Sequence, residues 1–229
     1  MKTTAWDRIF AALEKWRAAW LAEHDDGEDP AVSTIAEHYH EDPWAVLAST
    51  ILSLRTKDDT TLAASRRLLE KYPDMKSLAE RPAAEIADII YPVGFYRTKA
   101  ESLKKIADIL IAEYRGRVPQ DMDALLALPG VGRKTANLVL SEAFQIDAIC
   151  VDVHVHRISN RAGWLGETGT ATPEETEMTL RELLPRKYWQ RINKLLVFYG
   201  QQLCRPTSPW CSRCVMTAHC ERRGVTRSR

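Results

Sequence analysis

The sequence predicts an all-α protein, and three observations carry that expectation. Apolar residues recur three and four positions apart along most of the chain. No segment alternates apolar and polar residues as a half-buried strand would. The periodic segments are bounded by helix punctuation, with Asp-Pro and Thr-Pro at starts and Pro at stops. Neither a repeat nor a low-complexity tract interrupts this pattern.

The elements follow in order. Trp6, Ile9, Phe10, Leu13, Trp16 and Trp20 recur at helical spacing and form the apolar side of a first helix. Asp42-Pro43 reads as an N-cap followed by Pro at the first helical position. The residues after it, Trp44 to Leu54, are apolar almost all round, which predicts a buried helix. A further helix runs from about Asp58 to Tyr72 and stops at Pro73. "RPAAEIADII" opens another, ending before Tyr91-Pro92. "TKAESLKKIADILIAEY" puts Leu103, Ile106, Ile109 and Leu110 on one side, and "RGRVPQD" closes it. "DMDALLA" is a short helix ended by Pro129, and a new helix opens within "LPGVGRKTA". Thr172-Pro173-Glu174-Glu175 fits a capped start, Pro185 the matching stop, and a last helix spans Arg186 to Leu203.

With 229 residues, 45% of them hydrophobic, the chain can bury the core of one large domain or two small ones. No run of 18 apolar residues exists, so no membrane span is expected. The start, "MKTTAWDRIF", lacks the apolar core and cleavage site of a signal peptide, so an intracellular, reducing setting is expected. The net charge of +1 does not announce a nucleic-acid partner, but its distribution is uneven. From Cys204 to Arg229, six arginines face one glutamate, a local charge of +5 that leaves −4 on the rest. Such a basic end can be an electrostatic footprint for phosphate. Arg227 and Arg229 read instead as a solvated, frayed tail.

Cys204, Cys211, Cys214 and Cys220 lie in one run, separated by six, two and five residues. Disulfides do not suit a reducing setting. A structural zinc site usually brings two two-residue knuckles, and only one is present. An iron–sulfur cluster tolerates such uneven spacing. On spacing alone, cluster, zinc and unligated thiols all stay open. Cys150, in the apolar run "AICVDV", reads as a small buried hydrophobe.

In "ALPGVGRKTANLVL", Pro129 breaks one helix and Gly130 and Gly132 permit a tight turn and a close approach to a partner. The helix that follows presents free N–H groups, a ready phosphate site. The spacing is not that of a Walker loop, and no strand precedes it. Lys134 falls in the first helical turn, where the macrodipole disfavours a cation. That is a poor place for a structural lysine and a good one for an amine that must shed its proton to act as a nucleophile. Asp152, an acid within "ICVDVHVHRISNR", stands at a helix start and reads both as an N-cap and as a candidate catalytic carboxylate. His154 and His156 are two apart, off a common helical face, and read as packing or backbone-contact residues rather than a metal pair.

These motifs together resemble the endonuclease III group of the helix-hairpin-helix base-excision DNA glycosylases. "LPGVGRKTAN" is similar to that family's hairpin with its catalytic lysine, "VDVHVHRISNR" to its catalytic-aspartate helix, and the four-cysteine run to its iron–sulfur loop. "ILSLRTKD" and "VGFYRTKAESL" match further family segments, so the likeness covers roughly residues 30 to 220. The resemblance implies two helical domains with a DNA cleft between them. A six-helix barrel with the hairpin would span 36–146, and residues 1–35 and 147–229 would form the cluster domain. It implies that Lys134 and Asp152 are catalytic. It also implies that Arg55, Phe95, Leu128, Gly130, Val131, Gly132, Arg133 and Thr135 contact DNA. Cys204, Cys211, Cys214 and Cys220 would hold a 4Fe-4S cluster. The implied activity is excision of a flipped-out damaged base, an oxidised pyrimidine, followed by β-elimination at the abasic site. The partner would be duplex DNA, met by a monomer, with no membrane involved.

Four departures bear on substrate. Arg55 stands where the family usually has glutamine, Phe95 where leucine is more frequent, and Val153 where threonine is usual, while "RPTSPW" is less basic than the usual loop. An arginine at the gap left by the flipped base could hydrogen-bond an orphaned guanine. The alternatives are a mismatch glycosylase acting on uracil or thymine opposite guanine, and a non-catalytic DNA-binding module with a structural metal. A small electron carrier would explain neither the hairpin nor the Lys134 and Asp152 pair.

Overall fold

The structure is a computed structural model that describes residues 5–24 and 29–229. The first four residues, on which the reading of the amino terminus partly rests, lie outside that range. The described residues are helical with no strand, and no helix among them is long and apolar enough to cross a membrane. The chain divides into two compact units, Pro30–Ala148 and the combination of Met1–Asp29 with Ile149–Arg229.

The Pro30–Ala148 unit is continuous in sequence. It holds α2 (Ala31–His38), α3 (Pro43–Ser53), α4 (Asp58–Lys71), α5 (Met75–Ala79), α6 (Ala83–Ile90), α7 (Tyr96–Glu113), α8 (Met122–Leu126) and α9 (Arg133–Phe144). Helix α3 is the centre: every residue from Trp44 to Leu52 is buried, and α2, α4, α7 and α9 pack around it. Each such Leu or Ile contributes roughly 1.5–3 kcal/mol on leaving water. Asp42 caps α3, accepting from the Ala45 N–H at 2.8 Å, with Pro43 at the first position as its sequence implies. Asp74 and Asp121 cap α5 and α8 in the same way.

Two helices were not anticipated. Helix α2 starts at Pro30 with no side-chain cap, and α5 is only five residues long, so neither carries enough periodicity or punctuation to stand out. Helix α7 also begins two residues earlier than its pattern suggests, at Tyr96.

The other unit is built from α1 (Ala5–Glu23), α10 (Val153–Ala162), α11 (Pro173–Leu183) and α12 (Trp189–Gln202), with a 3-10 turn at Arg186–Tyr188 leading into α12 and two more, at Cys211–Arg213 and Thr217–His219, after it. Helix α1 lies on α12, with Phe10 stacked on Tyr188 at 3.9 Å and Trp16 edge-on to Tyr199 at 5.1 Å. Ile9, Leu13, Val155, Ile158, Leu180 and Leu196 complete the core between these helices. Cys150 is buried there as expected, and its carbonyl accepts from Asn193 at 3.2 Å.

Asp29 ties α1 to α12, accepting from Arg17 Nε at 2.8 Å and pairing with Lys194 Nζ at 2.8 Å. Burial raises its pKa, but the bonds to Arg17 and Lys194 outweigh that, and the net shift is downward from 3.8. A lowered carboxylate contributes stability that is complete above its ordinary pKa and is lost as pH falls through the native value. Asp29→Asn should therefore cost about 1–3 kcal/mol at pH 7. In denaturant titrations the gap to the parent protein should shrink as pH approaches 2, and a gap constant with pH would refute the assignment.

The carboxyl-terminal residues differ from expectation. Arg229 is not frayed: its N–H donates to the Pro209 carbonyl at 2.8 Å and its own carbonyl accepts from Ser212 at 2.9 Å. The Arg229 guanidinium sits 5.0 Å from the Trp210 ring, and that of Arg213 4.9 Å from the same ring. Trp210 thus recruits both cations through its π system, a contact that charge counting does not reveal.

Candidate functional site

The turn between α8 and α9 is shaped from within. Leu128 and Val131 are 2% and 7% exposed, and the Val131 N–H donates to the Leu128 carbonyl at 3.1 Å. Gly130 has φ +78°, which glycine adopts without the Cβ penalty. Gly132 is different. Its backbone is extended (φ −101°, ψ 177°), and an added Cβ would meet nothing within 4 Å. The fold does not demand glycine at 132, so what the missing side chain leaves is open approach to the start of α9. Gly132 is also the N-cap, and it supplies no side-chain acceptor to the first N–H groups, unlike the Asp and Thr caps of α3, α8 and α11.

Arg133 and Lys134 are the first two residues of α9, both half-buried. Thr135 is 1% exposed and supports the turn from inside. Of the hairpin residues named from sequence, Leu128, Val131 and Thr135 thus direct their side chains into the chain. Gly130, Gly132 and Arg133 retain surface.

Asp152 is the N-cap of α10. Its Oδ1 accepts from the N–H groups of His154 and Val155, both at 2.9 Å, and Oδ2 takes neither bond. The carboxylate is half-buried and Val153 beside it is 68% exposed. His154 Nδ1 lies 3.1 Å from Arg157, and His156 Nδ1 lies 2.7 Å from Thr176 Oγ1, both contacts within the protein.

Arg55 and Phe95 form a pair. Both are exposed, with Phe95 at 64%, and the Arg55 guanidinium sits 5.7 Å from the Phe95 ring. Both backbones are left-handed, at φ +52° and +57°. A non-glycine residue there costs about 1–3 kcal/mol, sustained only where surrounding structure over-determines it.

Lys99, on α7, was not singled out in the sequence. It is 7% exposed, and its Nζ donates to the carbonyls of Leu52 and Leu54 and to Thr56 Oγ1. Burial pushes its pKa down to about 8, which leaves it an ammonium with three donors at neutral pH.

Cys204, Cys211, Cys214 and Cys220 all line one largely apolar cavity, with Tyr199 and Trp210 among its walls. Tyr199 Oη lies 2.7 Å from Cys214 Sγ, and Arg161 lies 3.6 Å from Cys204 Sγ. Burial pushes the Cys204 and Cys220 thiols up, with Arg161 pulling Cys204 the other way. Among the described residues, no three His, Cys, Asp or Glu side chains converge to hold a metal ion.

Two arginines that sequence reading passed over hold this loop. Arg157 donates to the Cys204 carbonyl at 2.9 Å, and Arg161 to the Arg205 carbonyl at 2.7 Å. Both project from α10, four residues apart, so the helix capped by Asp152 also anchors the cysteine loop. Their spacing was the available signal; their carbonyl partners lie more than forty residues away.

Residues 48–186 match the family model for the HhH-GPD superfamily base excision DNA repair protein. The chain belongs to that superfamily. The matched span contains Arg55, Phe95, the hairpin, Lys134 and Asp152, and ends before the cysteine loop. Endonuclease III of Thermotoga maritima is 48% identical to this HhH-GPD member over 184 residues, covering 80% of this chain and 85% of that one. A solved structure of a non-covalent endonuclease III–DNA complex superposes with a TM-score of 0.78 at 33% identity, covering 96% of each chain. A second, of a trapped endonuclease III–DNA covalent intermediate, gives 0.77 at 32% identity, covering 96% of this chain and 97% of that one.

Proposed function

We propose that this protein is a bifunctional base-excision enzyme, a DNA glycosylase with abasic-site lyase activity. The observation that carries the reading is Lys134 in the first turn of a helix whose glycine cap leaves the approach open. The N–H groups at the start of α9, with Gly130 and Gly132, clamp a backbone phosphate of duplex DNA, with Arg133 beside them. Arg55 and Phe95 enter the duplex where a nucleotide has been flipped out. The base is an oxidised pyrimidine, and the protein acts as a monomer in the cytoplasm.

The Lys134 amine, having lost a proton, attacks C1′ of the sugar. The C1′–N bond breaks and the base leaves with the bonding pair, taking up a proton. Ring opening gives a Schiff base between Nζ and C1′. Removal of a proton from C2′ then expels the 3′ phosphate and nicks the strand. Asp152 stabilises the positive charge that develops on the sugar. Its Oδ1 is committed to the α10 cap, so the cap fixes where the carboxylate stands.

The Pro30–Ala148 unit is read as the barrel domain with the hairpin, and the other unit as the cluster domain. The four cysteines fit a 4Fe-4S cluster better than zinc. Structural zinc usually takes two two-residue knuckles and this run has one, whereas an iron–sulfur cluster held by four cysteines tolerates uneven spacing, and all four side chains border one cavity. Such a cluster would supply cross-linking between α12 and the loop. Purified protein should contain iron in a ratio of about four per chain, with a broad visible absorbance. Stoichiometric zinc without iron would overturn this assignment.

Borohydride reduction in the presence of an abasic duplex should trap a covalent protein–DNA adduct. A panel carrying oxidised pyrimidines, uracil or thymine opposite guanine, and adenine opposite oxidised guanine then identifies the base. Salt-dependent binding with no adduct and no scission would sink the enzymatic reading.

A further inference from the structure

We infer that Lys99 is a positioning residue that locks Arg55 and Phe95 into one preassembled wedge for the duplex; this rests on the proposed function above. The last carbonyls of a helix lack intrahelical donors. At the end of α3 these include Leu52 and Leu54, and the Lys99 ammonium reaches both, at 2.8 and 2.5 Å. A cation there also answers the negative end of the α3 dipole. Its third bond, 3.0 Å, goes to Thr56 Oγ1, which itself accepts from the Gly94 N–H at 3.2 Å. One ammonium and one hydroxyl therefore stitch the 52–56 turn to the 94–95 turn.

The two turns also meet directly. A Cβ on Gly94 would stand 2.6 Å from the Arg55 carbonyl oxygen, so only glycine permits the approach. Arg55 and Phe95 sit at the tips of these turns, in left-handed backbone conformations and stacked on each other. Neither tip is packed into the core, since both residues are exposed. What holds them is the bridge beneath, and Lys99 is its centre. Because Lys99 is itself on α7, and its N–H donates to the Phe95 carbonyl at 3.0 Å, the same residue fixes the start of that helix.

The test uses an abasic site in two settings: opposite 2-aminopurine in a duplex, and in an unpaired bubble. Insertion of the wedge unstacks the 2-aminopurine and raises its fluorescence. Lys99→Met keeps the stem and removes the donors. It should abolish most of the fluorescence rise and slow duplex nicking by about 10- to 100-fold, the scale of a misplacement of about an ångström. Nicking in the bubble, which needs no wedge, should stay within about threefold. Thr56→Val removes the shared hydroxyl while leaving the cation, and should show the same selective loss in smaller degree; it decides the question if Lys99→Met does not fold. Equal losses on both substrates, or an unchanged duplex-to-bubble ratio with unchanged fluorescence, overturn the inference. A parent protein that nicks neither substrate overturns the underlying function and this inference with it.

Discussion

Lys134→Gln is expected to abolish the borohydride-trapped adduct and to slow strand scission at an abasic site by at least about 10³-fold, because no amine remains to form the Schiff base. Glutamine keeps most of the length and the polarity of the side chain. The hairpin should be undisturbed, since Leu128, Val131 and Thr135 set it from inside and Gly130 supplies its left-handed residue. Binding to an abasic duplex should therefore change by only a few fold. The discriminating result is the pair: binding kept, covalent chemistry gone. An adduct of undiminished yield from Lys134→Gln would move the nucleophile elsewhere in the chain. Loss of binding in step with loss of cleavage would mean that Lys134 serves the phosphate and not the sugar.

Asp152 permits a sharper separation, because its capping role and its proposed catalytic role respond differently to two substitutions. As an N-cap it accepts the His154 and Val155 N–H groups through one oxygen. Asparagine caps a helix about as well as aspartate, whereas alanine forfeits about 0.5–2 kcal/mol. Asp152→Asn should therefore melt with the parent protein, while base excision falls by about 10²- to 10³-fold as the charge facing the developing cation is lost. Asp152→Ala should show the same kinetic loss and a lowered Tm as well. Rapid-quench excision assays beside thermal melts settle it. If the asparagine variant excises at the parent rate, Asp152 is a cap and nothing more. If it melts as low as the alanine variant, the charge matters to the fold and the kinetic loss cannot be read as catalysis.

Much of the architecture was legible because helix signals are local. Asp42-Pro43, Thr172-Pro173 and Pro185 each act within one turn, and the helices they bound start and stop where that chemistry requires. Helices α2 and α5 escaped because they are short and weakly marked. Lys134 and Asp152 are expected at helix starts, and both stand there. Lys99, Arg157 and Arg161 were not, since each looks like a solvated cation until its partners are known. Arg229 misled in the same direction: a terminal arginine reads as frayed unless an aromatic ring is known to wait beneath it.

Helical class, most helix ends and the hairpin are written locally in the chain, since caps, prolines and glycines act on backbone within a few residues. Which cations are structural depends instead on packing. A buried ammonium or guanidinium needs acceptors. For Lys99 they lie 43 to 47 positions back along the chain, and for Arg157 they include a carbonyl 47 positions ahead. No periodicity links positions so far apart. Packing brings orphaned carbonyls and cations together, and there the same side chain that would be solvated on a helix surface becomes the residue that holds two turns in register.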